Sequence, residues 1–116
     1  MLKIDGGANM EKRIQDELEI LKGIIVDTVP VEQIFLFGSY AYGTPGEDSD
    51  FDLYIVIPDD SIRPLEAAQI INNVIYEDQR KPVDILVGRV SDFRRRSQLP
   101  TIERTIARDG VMLYGR

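Results

Sequence analysis

A chain of 116 residues and 13.2 kDa can bury one hydrophobic core and leaves little room for a second. Its 43% hydrophobic and 29% charged residues exclude disorder and fibrous repeats. With no cysteine and no histidine, disulfides, thiol nucleophiles, Cys/His zinc sites and imidazole chemistry are ruled out, and a net charge of −6 does not suit a coat for duplex nucleic acid.

Residues 1–9, with Gly6 and Gly7 and no periodicity, read as a flexible leader to a single domain over residues 10–116. The opening Met1-Leu2-Lys3-Ile4-Asp5 lacks the apolar core of a signal peptide, and no apolar run nears the roughly eighteen residues of a membrane span. The expected location is the cytoplasm. From Met10, Ile14, Leu18, Leu21, Ile25 and Val29 recur at three- and four-residue intervals among charged residues, predicting an amphipathic helix ended by Pro30. Ile34 to Phe37 is a short apolar run stopped by Gly38, a buried strand.

Residues 38–49 collect glycine, serine, threonine and proline, predicting a loop with room for one helical turn. Asp52 to Ile57 is a second strand. A helix starting near Pro64 would bury Leu65, Ala68, Ile71, Ile75 and Tyr76 and close over Asp78 to Lys81. Val83 to Val87 is a third buried strand ended by Gly88. The tail from Ser91 is helical in pieces, with a last helix from Pro100 through Ile102, Ile106 and Ala107, a cap at Gly110, and an edge strand over Val111 to Tyr114. The expected fold is α/β (α+β), a small mixed β-sheet with helices packed on it.

With imidazole and thiol chemistry excluded, carboxylates and a hard divalent cation are left to carry any catalysis. Asp50 and Asp52, two residues apart at a strand entry, point to one face about 6.8 Å apart along the backbone. Such a pair is repulsive unless a cation lies between the two groups. Asp84, flanked by Val83, Ile85, Leu86 and Val87, is the candidate third ligand from a neighbouring strand, or else a carboxylate paired with Arg80 or Lys81. Gly38-Ser39, directly after a strand, can offer backbone N–H groups and a hydroxyl to an anion, although it also reads as an ordinary turn. Charge is uneven: residues 1–79 carry 5 basic and 16 acidic side chains, and residues 80–116 carry 9 and 4. Arg89, Arg94, Arg95, Arg96, Arg104 and Arg108 in that basic part suit either a solvated helix face or contact with a triphosphate or an acidic partner.

Gly38-Ser39, ten residues, then Asp50-Phe51-Asp52 resembles the signature of the DNA polymerase β-like nucleotidyltransferase superfamily. The Ser49-Asp50-Phe51-Asp52-Leu53 context and the Val83-Asp84-Ile85 strand are similar to its minimal nucleotidyltransferase (MNT) branch, over most of the chain from Ile34 to about Val87, and Ile106 to Tyr114 resembles the end of these domains. The resemblance implies a nucleotidyltransferase fold and transfer of a nucleoside monophosphate, AMP from ATP, to a hydroxyl. It implies that Asp50, Asp52 and Asp84 bind two Mg²⁺ (or Mn²⁺) ions and catalyse, with Asp84 also taking the hydroxyl proton, and that Gly38, Ser39 and Ser49 bind the nucleotide. Proteins of this branch are commonly the antitoxin halves of MNT/HEPN pairs, and some transfer AMP to a tyrosine of the HEPN toxin, which makes a HEPN protein the implied partner; duplex nucleic acid and membrane are not expected, and self-association stays open. Tyr42 stands where members often carry arginine. Two other functions remain: an antitoxin that neutralises its partner by binding alone, and a small-molecule nucleotidyltransferase of the aminoglycoside-modifying kind.

Overall fold

A computed structural model describes residues 11–43, 45–46 and 49–115. The expected leader and the proposed helix start at Met10 lie outside those residues. The elements run α1 (Lys12–Thr28), β1 (Gln33–Phe37), α2 (Ser39–Tyr42), β2 (Phe51–Ile57), α3 (Pro64–Ile75), β3 (Val83–Arg89), α4 (Val90–Arg96), α5 (Ile102–Asp109) and β4 (Val111–Tyr114). The strands form one mixed sheet in the order β3-β2-β1-β4. β1 is antiparallel to β2 and β4, whereas β2 and β3 are parallel, the pairing that requires the crossover α3 supplies.

Strand alternation divides the sheet into two unequal faces. Ile34, Leu36, Leu53, Ile55 and Ile57 point to one side, where Ile14, Leu18, Leu21 and Ile25 of α1 and Ala67, Ile71 and Ile75 of α3 close the main core. Phe35, Tyr54 and Val56 point to the other, under Phe93 of α4 and Ile106 of α5. Phe93 stacks on Phe35 at 5.5 Å and tilts against Tyr54 at 5.1 Å between ring centroids. Helix α1 stops where the sequence demands: Val29 turns extended before Pro30, its N–H still donating to Ile25 O at 3.2 Å. Among the described residues no helix is long and apolar enough to cross a membrane.

Three expectations need correction. Helix α3 ends at Ile75 and buries Ala67 with the expected Ile71 and Ile75, whose four-residue spacing sets the stripe toward the main core, so Ala68 is only half-buried and Leu65 and Tyr76 are exposed. β3 is not a buried strand: it lies at the sheet edge, and Asp84 and Leu86 are exposed on its uncovered face. Gly110 caps α5 as expected, in an extended conformation with φ −71°, its N–H donating to Ile106 O at 2.8 Å. Glycine serves there because a Cβ would lie 2.7 Å from Ile106 O and 3.2 Å from Leu36 O.

The third concerns α5, which starts at Ile102 after the Thr101 cap rather than at Pro100 and buries Glu103 beside Ile106. Tyr54 Oη donates to Glu103 Oε2 at 3.0 Å, and Arg96 Nε reaches the same oxygen at 3.1 Å. Burial opposes ionisation of Glu103, but its own backbone N–H, the Arg96 and Tyr54 hydrogen bonds and the Arg96 charge outweigh it and hold the carboxyl below its ordinary range. Burial beside Glu103 drives the Tyr54 hydroxyl the other way, so it stays protonated as a donor. A carboxyl with a lowered folded-state value contributes stability that is present above the ordinary glutamate range and lost as pH falls through the lowered value. Glu103→Ala is therefore expected to cost about 2 kcal/mol near neutral pH, and the deficit should shrink in acid. Urea denaturation across pH checks this, and a pH-independent deficit would contradict it.

Candidate active site

Register brings the acidic residues together. Phe37 pairs with Asp52 across β1 and β2, and Asp52 pairs with Asp84 across β2 and β3. Paired positions on adjacent strands share a face roughly 4.8 Å apart, so the two carboxylates stand side by side on the face that carries Tyr54 and Leu86. Burial raises the pKa of Asp52 above its ordinary value, and the Asp84 charge, a hydrogen bond shared with the Asp84 carboxyl and the Asp50 charge raise it further. Asp50 thus acts on Asp52 from just before β2, where no strand ladder holds it. Among the described residues no three acidic side chains are drawn into one ready metal cluster. The formed unit is the Asp52–Asp84 pair, with Asp50 beside it.

The bend after β1 is built against that pair. Gly38 has φ 75° and ψ −159°, a conformation that side-chain-bearing residues rarely adopt. A Cβ here would collide with Asp52 Oδ2 and lie 3.1 Å from Asp52 Cγ. The Gly38 backbone therefore passes directly over the Asp52 carboxylate. Ala41 and Tyr42 N–H groups donate to Gly38 O at 3.0 and 3.1 Å, closing the single turn of α2, which opens at Ser39 and ends at Gly43 with φ 78°. Ser49 is tied into the loop ahead of Asp50: its Oγ accepts from Gly46 N–H at 2.7 Å and its own N–H donates to Gly46 O at 3.2 Å. Gly38, Ser39, Asp52 and Asp84 form one neighbourhood, and Ser49 and Asp50 lead the chain into it.

Lys81 resolves the alternative left open for Asp84. No ion pair links Asp84 to Arg80 or Lys81; Lys81 Nζ instead donates to Tyr40 Oη at 2.8 Å and lies 4.9 Å and 5.0 Å from the Tyr40 and Phe51 ring centroids. This lysine ties α2 to the entries of β2 and β3 from the main-core side. Its neighbour Pro82 accepts from Phe51 N–H at 3.1 Å. Nothing local in the sequence marks this strut, which joins positions 41 residues apart.

Two crowded carboxylates, one resisting ionisation and both lacking a cationic side chain, are a donor set suited to a hard divalent cation. The residues present therefore fit the metal that carboxylate chemistry calls for. Asp52 and Asp84 would hold it, with Asp50 able to join them.

The fold is similar to two solved structures. One is a toxin–antitoxin structure with AMP-PNP, 23% identical, covering 87% of this chain and 74% of that one, with a TM-score of 0.51. The other is a putative nucleotidyltransferase from Sulfolobus solfataricus, 19% identical, covering 96% of this chain and 94% of that one, with a TM-score of 0.53. At those identities the likeness concerns the fold. No curated protein matches the chain in sequence. The model of the nucleotidyltransferase domain family matches residues 13–111, most of the chain and all of the neighbourhood around Asp52, and the chain belongs to that family.

Proposed function

We propose that this nucleotidyltransferase moves AMP from ATP onto a hydroxyl of a partner protein, a tyrosine of a HEPN toxin, and serves as the antitoxin of the pair in the cytoplasm, residues 10–116 acting as one domain. The observation that carries the reading is the Asp52–Asp84 pair set in register beside the Gly38 bend. Support for the nucleotide and the partner comes from the MNT-like sequence signature and from the similar toxin–antitoxin structure with AMP-PNP.

In this reading the backbone at Gly38 and the Ser39 hydroxyl orient the β- and γ-phosphates, so that pyrophosphate is placed to leave opposite the attacking oxygen. Asp52 lies between the phosphate side and Asp84. Asp84, exposed at the sheet edge, is open to an incoming hydroxyl and is the group placed to accept its proton. Mg²⁺, held by Asp52 and Asp84 with Asp50, supplies charge neutralisation at the phosphates when bound. Ser49 keeps Asp50 at the mouth of β2.

The test is incubation of the purified chain with labelled ATP, Mg²⁺ and the protein encoded beside it. Label on a tyrosine of that protein is the expected result. Inhibition of the partner without label would replace transfer by binding alone, and label appearing only on an added aminoglycoside would replace the protein acceptor by a small molecule.

A further inference from the structure

A bound triphosphate needs positive charge near Gly38 and Ser39, and the short α2 carries none. The cations of the basic third are mostly committed or remote. Arg95 pairs with Asp92 at 3.2 Å and Arg96 with buried Glu103 at 3.1 Å. Arg94 opens on a cavity shared with Gln33, Val56 and Tyr114, at the opposite end of the strands from Asp52. Lys81 is held by Tyr40 on the far face, and Arg80 lines a hollow against α1.

Arg108 is placed differently. Helix α5 lies on the sheet face that carries Asp52, since Ile106 packs with Phe35 and Tyr54. Its C-terminal end sits at the same end of the strands as Asp52: Gly110 is packed against Leu36 O, Val111 pairs with Leu36, and the next residue of β1, Phe37, pairs with Asp52. Arg108, in the last turn of α5, is 65% exposed. The Asp109 hydrogen bonds and charge raise the Arg108 pKa, and Tyr42, the last residue of α2, lies near enough to add to that rise when ionised. The present partner of Arg108 is Asp109, which accepts from Nε at 3.1 Å and from an Nη at 2.9 Å. Both bonds fall on the one oxygen, Oδ2, so the guanidinium fork is not yet matched by two acceptors, and an exposed pair of neighbours contributes so little that it exchanges readily for a more highly charged anion such as a phosphate, which can offer two oxygens.

We propose that Arg108 is the triphosphate anchor of this chain, leaving Asp109 to grip the β- or γ-phosphate of a nucleotide seated on Gly38 and Ser39, a role that rests on the nucleotidyltransferase reading above. It supplies from α5 the charge that Tyr42 cannot supply from α2. Because the anchor addresses the terminal phosphates, it discriminates ATP from AMP.

Calorimetric titration of the full chain with a non-hydrolysable ATP analogue plus Mg²⁺, and separately with AMP, tests this. Arg108→Gln should weaken the analogue about five- to tenfold and leave AMP unchanged, while Arg104→Gln, which removes the same charge one turn earlier on α5, should leave both unchanged. Equal analogue affinity in Arg108→Gln and the unmodified chain would overturn the proposal, as would an equal loss in Arg104→Gln. If the unmodified chain bound neither nucleotide, the nucleotidyltransferase reading would fall and the anchor with it, an outcome distinct from the other two.

Discussion

Asp52→Asn should abolish Mg²⁺-dependent nucleotidyl transfer, by about 10³-fold or more, while leaving a metal-free protein more stable than the unmodified chain at neutral pH. The two effects share one cause. Asp52 is partly buried against Asp84 with Asp50 nearby, so its carboxyl binds a proton more tightly in the folded chain than in the unfolded one. Such a group favours the fold at low pH and loses that contribution as pH rises through its raised value, leaving like charges to repel. Asparagine keeps the shape and removes the charge. Saturating Mg²⁺ should reverse the order: a ligand at a hundred times its dissociation constant stabilises the form that binds it by about 2.7 kcal/mol, and the variant forfeits most of that. Thermal unfolding with and without Mg²⁺, alongside labelled-ATP turnover, reads both effects. A variant that still gained stability from Mg²⁺ as the unmodified chain does would place the cation elsewhere. Asp84→Asn should lose turnover similarly but gain less stability, because Asp84 is exposed.

The spacing that located this site was legible because it is local. A strand, a glycine-serine bend and two aspartates of one parity at the next strand's entry depend only on the period of two. What the sequence could not carry is which strand lies at an edge. Val83 to Val87 reads as a buried run, yet β3 ends the sheet and only its Val83, Ile85 and Val87 side meets the core. The error changes the chemistry assigned to Asp84. An acid buried in a sheet would need a partner, whereas an exposed one at an edge is accessible to an acceptor arriving from outside. Glu103 was hidden for a related reason: it occupies a core position of α5, three residues before Ile106, and is tolerated there only through Tyr54, forty-nine residues away. Arg108 was legible as one arginine among six, and only the register of β4 on β1 sets it apart.

Gly38→Ala should be the most damaging small substitution outside the aspartates, costing about 1–3 kcal/mol of stability and about 10²-fold or more in turnover. Two separable causes act. The backbone at φ 75° and ψ −159° is strained for any residue with a Cβ, and that Cβ would occupy the space of the Asp52 carboxylate. The second conflict can be relieved, since the clashing oxygen is the end of a rotatable side chain, but only by turning Asp52 out of its place beside Asp84. Stability and activity should therefore part company in a double variant. In an Asp52→Ala background the stability cost of Gly38→Ala should shrink to the backbone component, because nothing remains to collide with the new methyl group, and transfer stays absent. Denaturant unfolding of the two singles and the double gives the coupling directly. Strict additivity would mean that bend and carboxylate are independent, and a Gly38→Ala enzyme of undiminished turnover would remove the need for their close approach.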